Sequence, residues 1–193
     1  MYQVALFIHI LGVFGIVAGH TLIHVGLEVM RRAQTIERIR DWAAILAGLD
    51  KFMPPVTLAV LVAGVYMAWT RWGWTTPWID ASLVIFLLLM ILGPLLPGRR
   101  FAAINRAVKT QESGIIPDTL VAQYRDRTLW IIENASSALI LAMLFLMTTK
   151  PGLAGTLVVI VTGLALGIVI GALSPTDMPG VVPPVAQPSA SSK

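Results

Sequence analysis

The chain has 193 residues, 56% of them hydrophobic and only 12% charged, with a mean hydropathy of +0.80 and a formal charge of +4. An ordinary soluble domain is about 25% charged, so a soluble fold is excluded because it would have no way to cover this much apolar surface. Cysteine is absent, which removes disulfides, thiolate nucleophiles and Cys-based metal sites. The positive residues sit mainly in two connections without a basic stripe or binding module, which argues against nucleic acid as a partner.

A bilayer core about 30 Å thick takes about 20 apolar residues of helix. Five stretches qualify, at 4–25, 53–72, 81–96, 129–148 and 153–173. They predict an all-α, polytopic transmembrane bundle over residues 1–173, with the lipid bilayer as its first partner. Residues 1–26 read as a retained first span and not a secretory signal, because no basic residue precedes Val4 and no small-residue cleavage site follows. Arg31, Arg32, Arg38, Arg40 and Lys51 crowd the first connection, and Arg99, Arg100, Arg106, Lys109, Arg125 and Arg127 the third. Positive residues prefer the cytoplasmic face, so the expected orientation has the N-terminus outside and the C-terminus inside.

In the first connection Ile36, Ile39, Ala43, Leu46 and Leu49 recur at helical spacing. They predict an amphipathic helix, lying either at the interface or as an extension packed under the bundle. Trp69, Trp72, Trp74 and Trp78 in the second connection predict an aromatic belt at headgroup depth. A short helix is expected around Arg99 to Lys109, followed by a turn at Gly114 to Pro117, and 174–193 reads as a disordered Pro/Ser-rich tail. Gly15 and Gly19, and Gly163, Gly167 and Gly171, are spaced for close helix contact, within the chain or between copies.

All three histidines lie on the first span. At 100° per residue His9 and His20 fall within about 20° of each other, about 16 Å apart along the axis. Ionisable groups inside a membrane are costly and mark functional sites by default, so His9 and His20 are candidate cofactor-binding residues. His20, His24 and Glu28 follow i, i+4 spacing and form a candidate metal set; the plain alternative is that His24 and Glu28 are a solvated interfacial pair. Glu133 is the one acidic residue inside a predicted span, at the depth of His20; it is the candidate proton carrier, or with His20 and Asn134 a metal-holding site. An interhelical hydrogen bond explains the same pair structurally. Near the other side, His9 is expected to approach Tyr66, Met67, Met143 and Met147. Imidazole with thioether suits Cu(I), though methionine also simply fills gaps between helices.

The opening Leu6-Phe7-Ile8-His9-Ile10-Leu11-Gly12-Val13, continuing to Ala18-Gly19-His20, resembles a bacterial family of small predicted integral membrane proteins of unknown function. That family is similar, at a distance, to the copper-resistance D-type proteins and the haem-containing membrane protoporphyrinogen oxidase. The resemblance implies a bacterial cytoplasmic membrane protein whose first-helix histidine, matched by His9, ligates haem b or copper. The sequence departs from the oxidase pattern in having no histidine beyond His24. Two histidines on one face of one helix do not grip opposite faces of one haem. Three functional classes therefore stand open: a small haem- or copper-binding redox or metal-handling protein, a non-catalytic accessory subunit with a membrane-protein partner or a second copy, and a small-molecule or ion transporter.

Overall fold

The computed structural model describes residues 1–111 and 116–174. Residues 112–115, which include the first half of the expected turn, and 175–193 of the expected tail lie outside the described residues. Every regular element among the described residues is helical, as apolar segments without external hydrogen-bond partners require. Helix α1 covers Tyr2–Arg31 and α2 covers Ile36–Met67, running into a π-helical turn at Ala68–Trp72. Helix α3, Pro77–Gly93, passes through a second π-helical turn at Pro94–Gly98 into α4, Arg99–Thr110. The short α5, Asp118–Tyr124, precedes α6, Arg127–Thr149, and α7, Leu153–Leu173. Five helical runs are long and apolar enough to span a membrane: Tyr2–Arg31, Ile36–Trp72, Pro77–Thr110, Asp118–Thr149 and Leu153–Leu173.

Four of these runs exceed the stretches expected from hydropathy, because a helix does not stop where its apolar residues stop. The 30 residues of α1 measure about 45 Å, well beyond a hydrocarbon core. The first connection resolves in favour of the packed extension, since Ile36, Ile39, Ala43 and Leu46 belong to α2 itself and are buried. Ile36, Ile39 and Leu46 meet Leu27 and Met30 of α1, Ile104 and Val108 of α4, and Leu120, Tyr124, Leu129 and Trp130 in one core. That core resembles the interior of a water-soluble domain.

Polar ties surround it. Asp126 caps α6 by accepting from the Thr128 and Leu129 amides at 2.7 and 3.3 Å, and pairs with Arg100 at 2.7 Å. Arg40 donates to the Gln111 carbonyl at 2.8 Å, and the Trp130 indole donates to the Tyr124 carbonyl at 3.2 Å. Arg127 donates to the Ala172 carbonyl at 2.6 Å, supplying a cation and a donor at the end of α7.

The middle of the molecule has the opposite character, with large apolar side chains such as Phe7, Phe14, Val62, Leu141 and Val161 exposed, as lipid-facing surfaces require. Here backbone proximity replaces side-chain burial. Gly12, Gly15 and Gly19 of α1 lie against Val60, Val56 and Met53 of α2. On the other side Gly163, Gly167 and Gly171 of α7 lie against the α6 backbone and its small residues Ala135, Ala138 and Ala142. Both glycine stripes are thus seams within the chain, where close packing drives helix association in lipid.

A methyl group on Gly171 would stand 2.5 Å from Ile131 Cα and 2.9 Å from the Trp130 carbonyl oxygen, and neither backbone atom yields cheaply. Gly171→Ala is expected to destabilise the protein by about 1–3 kcal/mol. Gly48→Ala meets nothing within 4 Å in α2 and should be neutral or stabilising by up to about 1 kcal/mol. Thermal melts followed by circular dichroism in detergent compare the two.

Candidate functional site

Three functional side chains of the middle region converge between α1 and α6. His20 and His24 stand one turn apart on α1, their rings 5.5 Å apart and edge to face. Glu133 enters from α6 and is only 2% exposed. His20 Nε2 lies 3.6 Å from Glu133 Oε2 and 3.4 Å from the Glu133 carbonyl oxygen. Ser137, one turn further along α6, donates to that same carbonyl at 2.9 Å. With its proton so used, the Ser137 oxygen accepts from His24 Nε2–H at 2.7 Å. The two histidines are thereby held by a single turn of α6. One ligand atom from each of His20, His24 and Glu133 lies within 4.8 Å of the others.

Glu133 Oε2 is enclosed without a hydrogen-bond partner among the described residues. A carboxylate left so is expensive in a low-dielectric interior, and the cost falls when a cation or a proton sits beside it. Glu133 and His20 border a cavity of about 520 Å³, which Asp50, Met53, Met90 and Met143 also line. The helices around it are irregular. Pro54 interrupts the hydrogen-bond ladder of α2, while Pro94, Pro97 and Gly98 belong to the π-helical turn that follows Gly93. Such turns are frequent at functional sites.

Glu28 stands apart from this cluster. Its carboxylate is paired with Arg31 at 2.7 Å and with Arg32, on its own helix. Glu133 is the carboxylate that joins His20 and His24. Asn134 turns back to donate to the Trp130 carbonyl at 2.8 Å and takes no part.

His9 occupies a second, separate site. Its Nδ1–H donates to the Val60 carbonyl at 3.0 Å, and its ring rests on Gly64, where a side-chain carbon would meet it at 3.2 Å. It borders a cavity of about 240 Å³ with Met67, Met147 and the tryptophan cluster, but not with Tyr66 or Met143. Trp72 packs edge to face on Trp78 at 5.5 Å and carries Lys150 Nζ at 4.6 Å over its ring. Trp69 and Trp74 form a second such pair at 6.2 Å. Neither Ser137 nor Ser82, which lines this cavity, stands out in the sequence. Their only signals are a hydroxyl one turn beyond Glu133 and a polar residue in an apolar run.

Fold and site together define a polytopic helical membrane protein with an imidazole–carboxylate cluster enclosed between its first and fourth spans. The chain belongs to the family described as predicted integral membrane protein (DUF2269), whose model matches residues 3–151. No curated protein and no solved structure matches it. Support for the resemblance therefore ends at a membrane family of unknown function, and does not reach the copper-resistance D-type proteins or the protoporphyrinogen oxidase.

The link from His24 through Ser137 to the Glu133 carbonyl joins two helices. Interhelical hydrogen bonds in membranes average about 0.6 kcal/mol and reach about 1.7, so Ser137→Ala is expected to destabilise within that range. Urea or mixed-micelle unfolding read by tryptophan fluorescence measures it.

Proposed function

We propose that this protein holds a first-row transition-metal ion inside the membrane, with His20, His24 and Glu133 as its ligands. The observation that carries this reading is the convergence, beside a cavity, of two imidazoles and a buried carboxylate whose Oε2 has no hydrogen-bond partner among the described residues. Two imidazoles and one carboxylate form a nitrogen–oxygen donor set that suits zinc, copper or iron and leaves coordination positions open. A tetrahedral ion with bonds of about 2.0–2.2 Å places its ligands about 3.4 Å apart. Rotamer adjustment of the three side chains therefore closes the site. When bound, the ion supplies a Lewis acid, and a redox centre if it is copper or iron.

Copper has a further argument in its favour. Met53, Met90, Met143 and Met147 line the same cavity, and the Met53 sulfur packs against Gly19, next to His20. Thioethers hold Cu(I), and imidazole serves both of its oxidation states. Haem does not fit. All the histidines project from one helix, and the cavity at His9, about 240 Å³, falls below the range of about 300–1,000 Å³ that drug-sized ligands occupy. Glu133 has a second reading as a proton carrier, favoured by the enclosed Oε2 on the cavity wall.

Metal analysis of protein purified in mild detergent after growth with copper, zinc and iron tests the reading. One ion per chain is expected, reduced about ten-fold or more in His20→Ala and Glu133→Gln with helical content retained. Protein that stays metal-free, or metal content indifferent to both substitutions, would overturn it. In the metal-free case, loss of pH-dependent activity in Glu133→Gln alone would favour the proton carrier.

We further propose an orientation in the cytoplasmic membrane with the N-terminus outside, supported by the arginine-rich first and third connections. The cysteine-free chain suits labelling by introduced thiols. In intact cells a membrane-impermeant maleimide should label Thr75→Cys and leave Asp41→Cys unlabelled until the membrane is opened. The reverse pattern overturns the orientation.

A further inference from the structure

The cavity at His9 is separate from the proposed metal site, and its polar groups are specific. Because Nδ1–H of His9 is committed to the Val60 carbonyl, the neutral ring presents Nε2 as an acceptor. No partner for Nε2 occurs among the described residues. Ser82, on α3, is only 4% exposed, and its hydroxyl is enclosed with no hydrogen-bond partner among the described residues. Both side chains line the same cavity, whose other walls are mainly apolar, with Leu83, Phe86 and Met147 beside Trp72, Trp74 and Trp78, and with Tyr2 and Lys150 also on its lining.

The buried Ser82 hydroxyl, left empty in an apolar chamber, is costly unless a bound molecule completes it, and the His9 nitrogen offers such a molecule an acceptor. An acyl chain fills such a chamber without satisfying either group. A flat ring bearing oxygens satisfies both, because a ring hydroxyl donates to the imidazole nitrogen and a ring oxygen accepts from the serine. The volume, about 240 Å³, admits one substituted ring but not a larger fused system. Tryptophans gather at the headgroup depth of a membrane, where the polar head of a lipid-soluble molecule also lies and its tail runs off into hydrocarbon.

We propose that this cavity binds the head group of a lipid-soluble quinone or quinol, with His9 Nε2 accepting from a ring hydroxyl and the Ser82 hydroxyl bonded to a ring oxygen. The site is built independently of His20, His24 and Glu133, so it stands whether or not a metal is held there. Val60, Phe86 and Met147 border both cavities, so the ring would lie one side-chain layer from the larger one.

Titration of the detergent-purified protein with ubiquinone-1, read as quenching of tryptophan fluorescence, tests the proposal, since three tryptophans line the cavity. Saturable quenching is expected, with the dissociation constant raised about three- to ten-fold by Ser82→Ala, the loss of one net hydrogen bond. His9→Phe, which keeps a ring there and removes the acceptor nitrogen, should weaken reduced ubiquinol-1 at least as much, under argon with dithionite. Circular dichroism and monodisperse elution verify that each variant is folded. Quenching that rises linearly with quinone, as micelle partition gives, overturns the proposal. So does saturable quenching left unchanged by both substitutions, which would mark the cavity as a slot for lipid tails.

Discussion

Hydrocarbon offers a peptide group no hydrogen-bond partner except another peptide group, and the rest of this structure depends on that constraint. It makes each apolar stretch a helix. It also removes the hydrophobic force that would gather those helices, because lipid tails are as apolar as the side chains they surround. Cohesion must come from elsewhere. In this protein it comes from the two glycine seams, where α1 lies on α2 and α7 on α6, and from polar links across helices. The same side chain can serve both ends. His9 ties α1 to the α2 backbone through one nitrogen and presents the other to a cavity.

The molecule is built in two regimes. At the end where α1 and α2 overrun the span, α4 and α5 close over them, and the core is packed as in a soluble domain, with Tyr124, Ile36 and Leu129 almost wholly enclosed. That end needs water outside it for its apolar side chains to gain by burial. Between the membrane faces, packing is thinner and two cavities persist. Their positions follow from local chemistry: one borders Pro54 of α2 and the π-helical turn after α3, the other the tryptophan-rich turn after α2. Irregular backbone at membrane depth is tolerated where it is covered by protein or lines a cavity.

The cluster of His20, His24, Ser137 and Glu133 shows how a helix pair can assemble a polar site with few residues. One turn of α1 and one turn of α6 supply all four. Because Ser137 spends its proton on the Glu133 carbonyl, His24 is fixed in place without using the Glu133 carboxylate, which is left turned toward His20. Two arginines meanwhile hold Glu28 on its own helix. A carboxylate near water finds cations, and a carboxylate in the interior keeps its charge only with a partner of its own.

Much of the architecture was legible in the residues themselves. Hydropathy specifies five spans because transfer into lipid acts on each segment separately, and the glycine spacing of α1 and α7 marks close seams for a similarly local reason. The depth of His20 and Glu133 follows from counting along two helices, which is why their proximity could be anticipated. Which carboxylate stands beside the histidine pair stayed open in the sequence, where spacing along α1 offered Glu28 and matched depth offered Glu133. The rotation of α6 about its axis brings in Glu133 and Ser137 and leaves Asn134 aside. The sequence likewise left open whether the amphipathic start of α2 lies on the membrane or folds under the bundle. Its apolar face suits either, and only the presence of α4 and α5 as a covering surface decides between them. Segment-by-segment energetics are written in the chain, whereas rotation, cover and cavities arise from the packing of helices distant in sequence, and only tertiary structure supplies them.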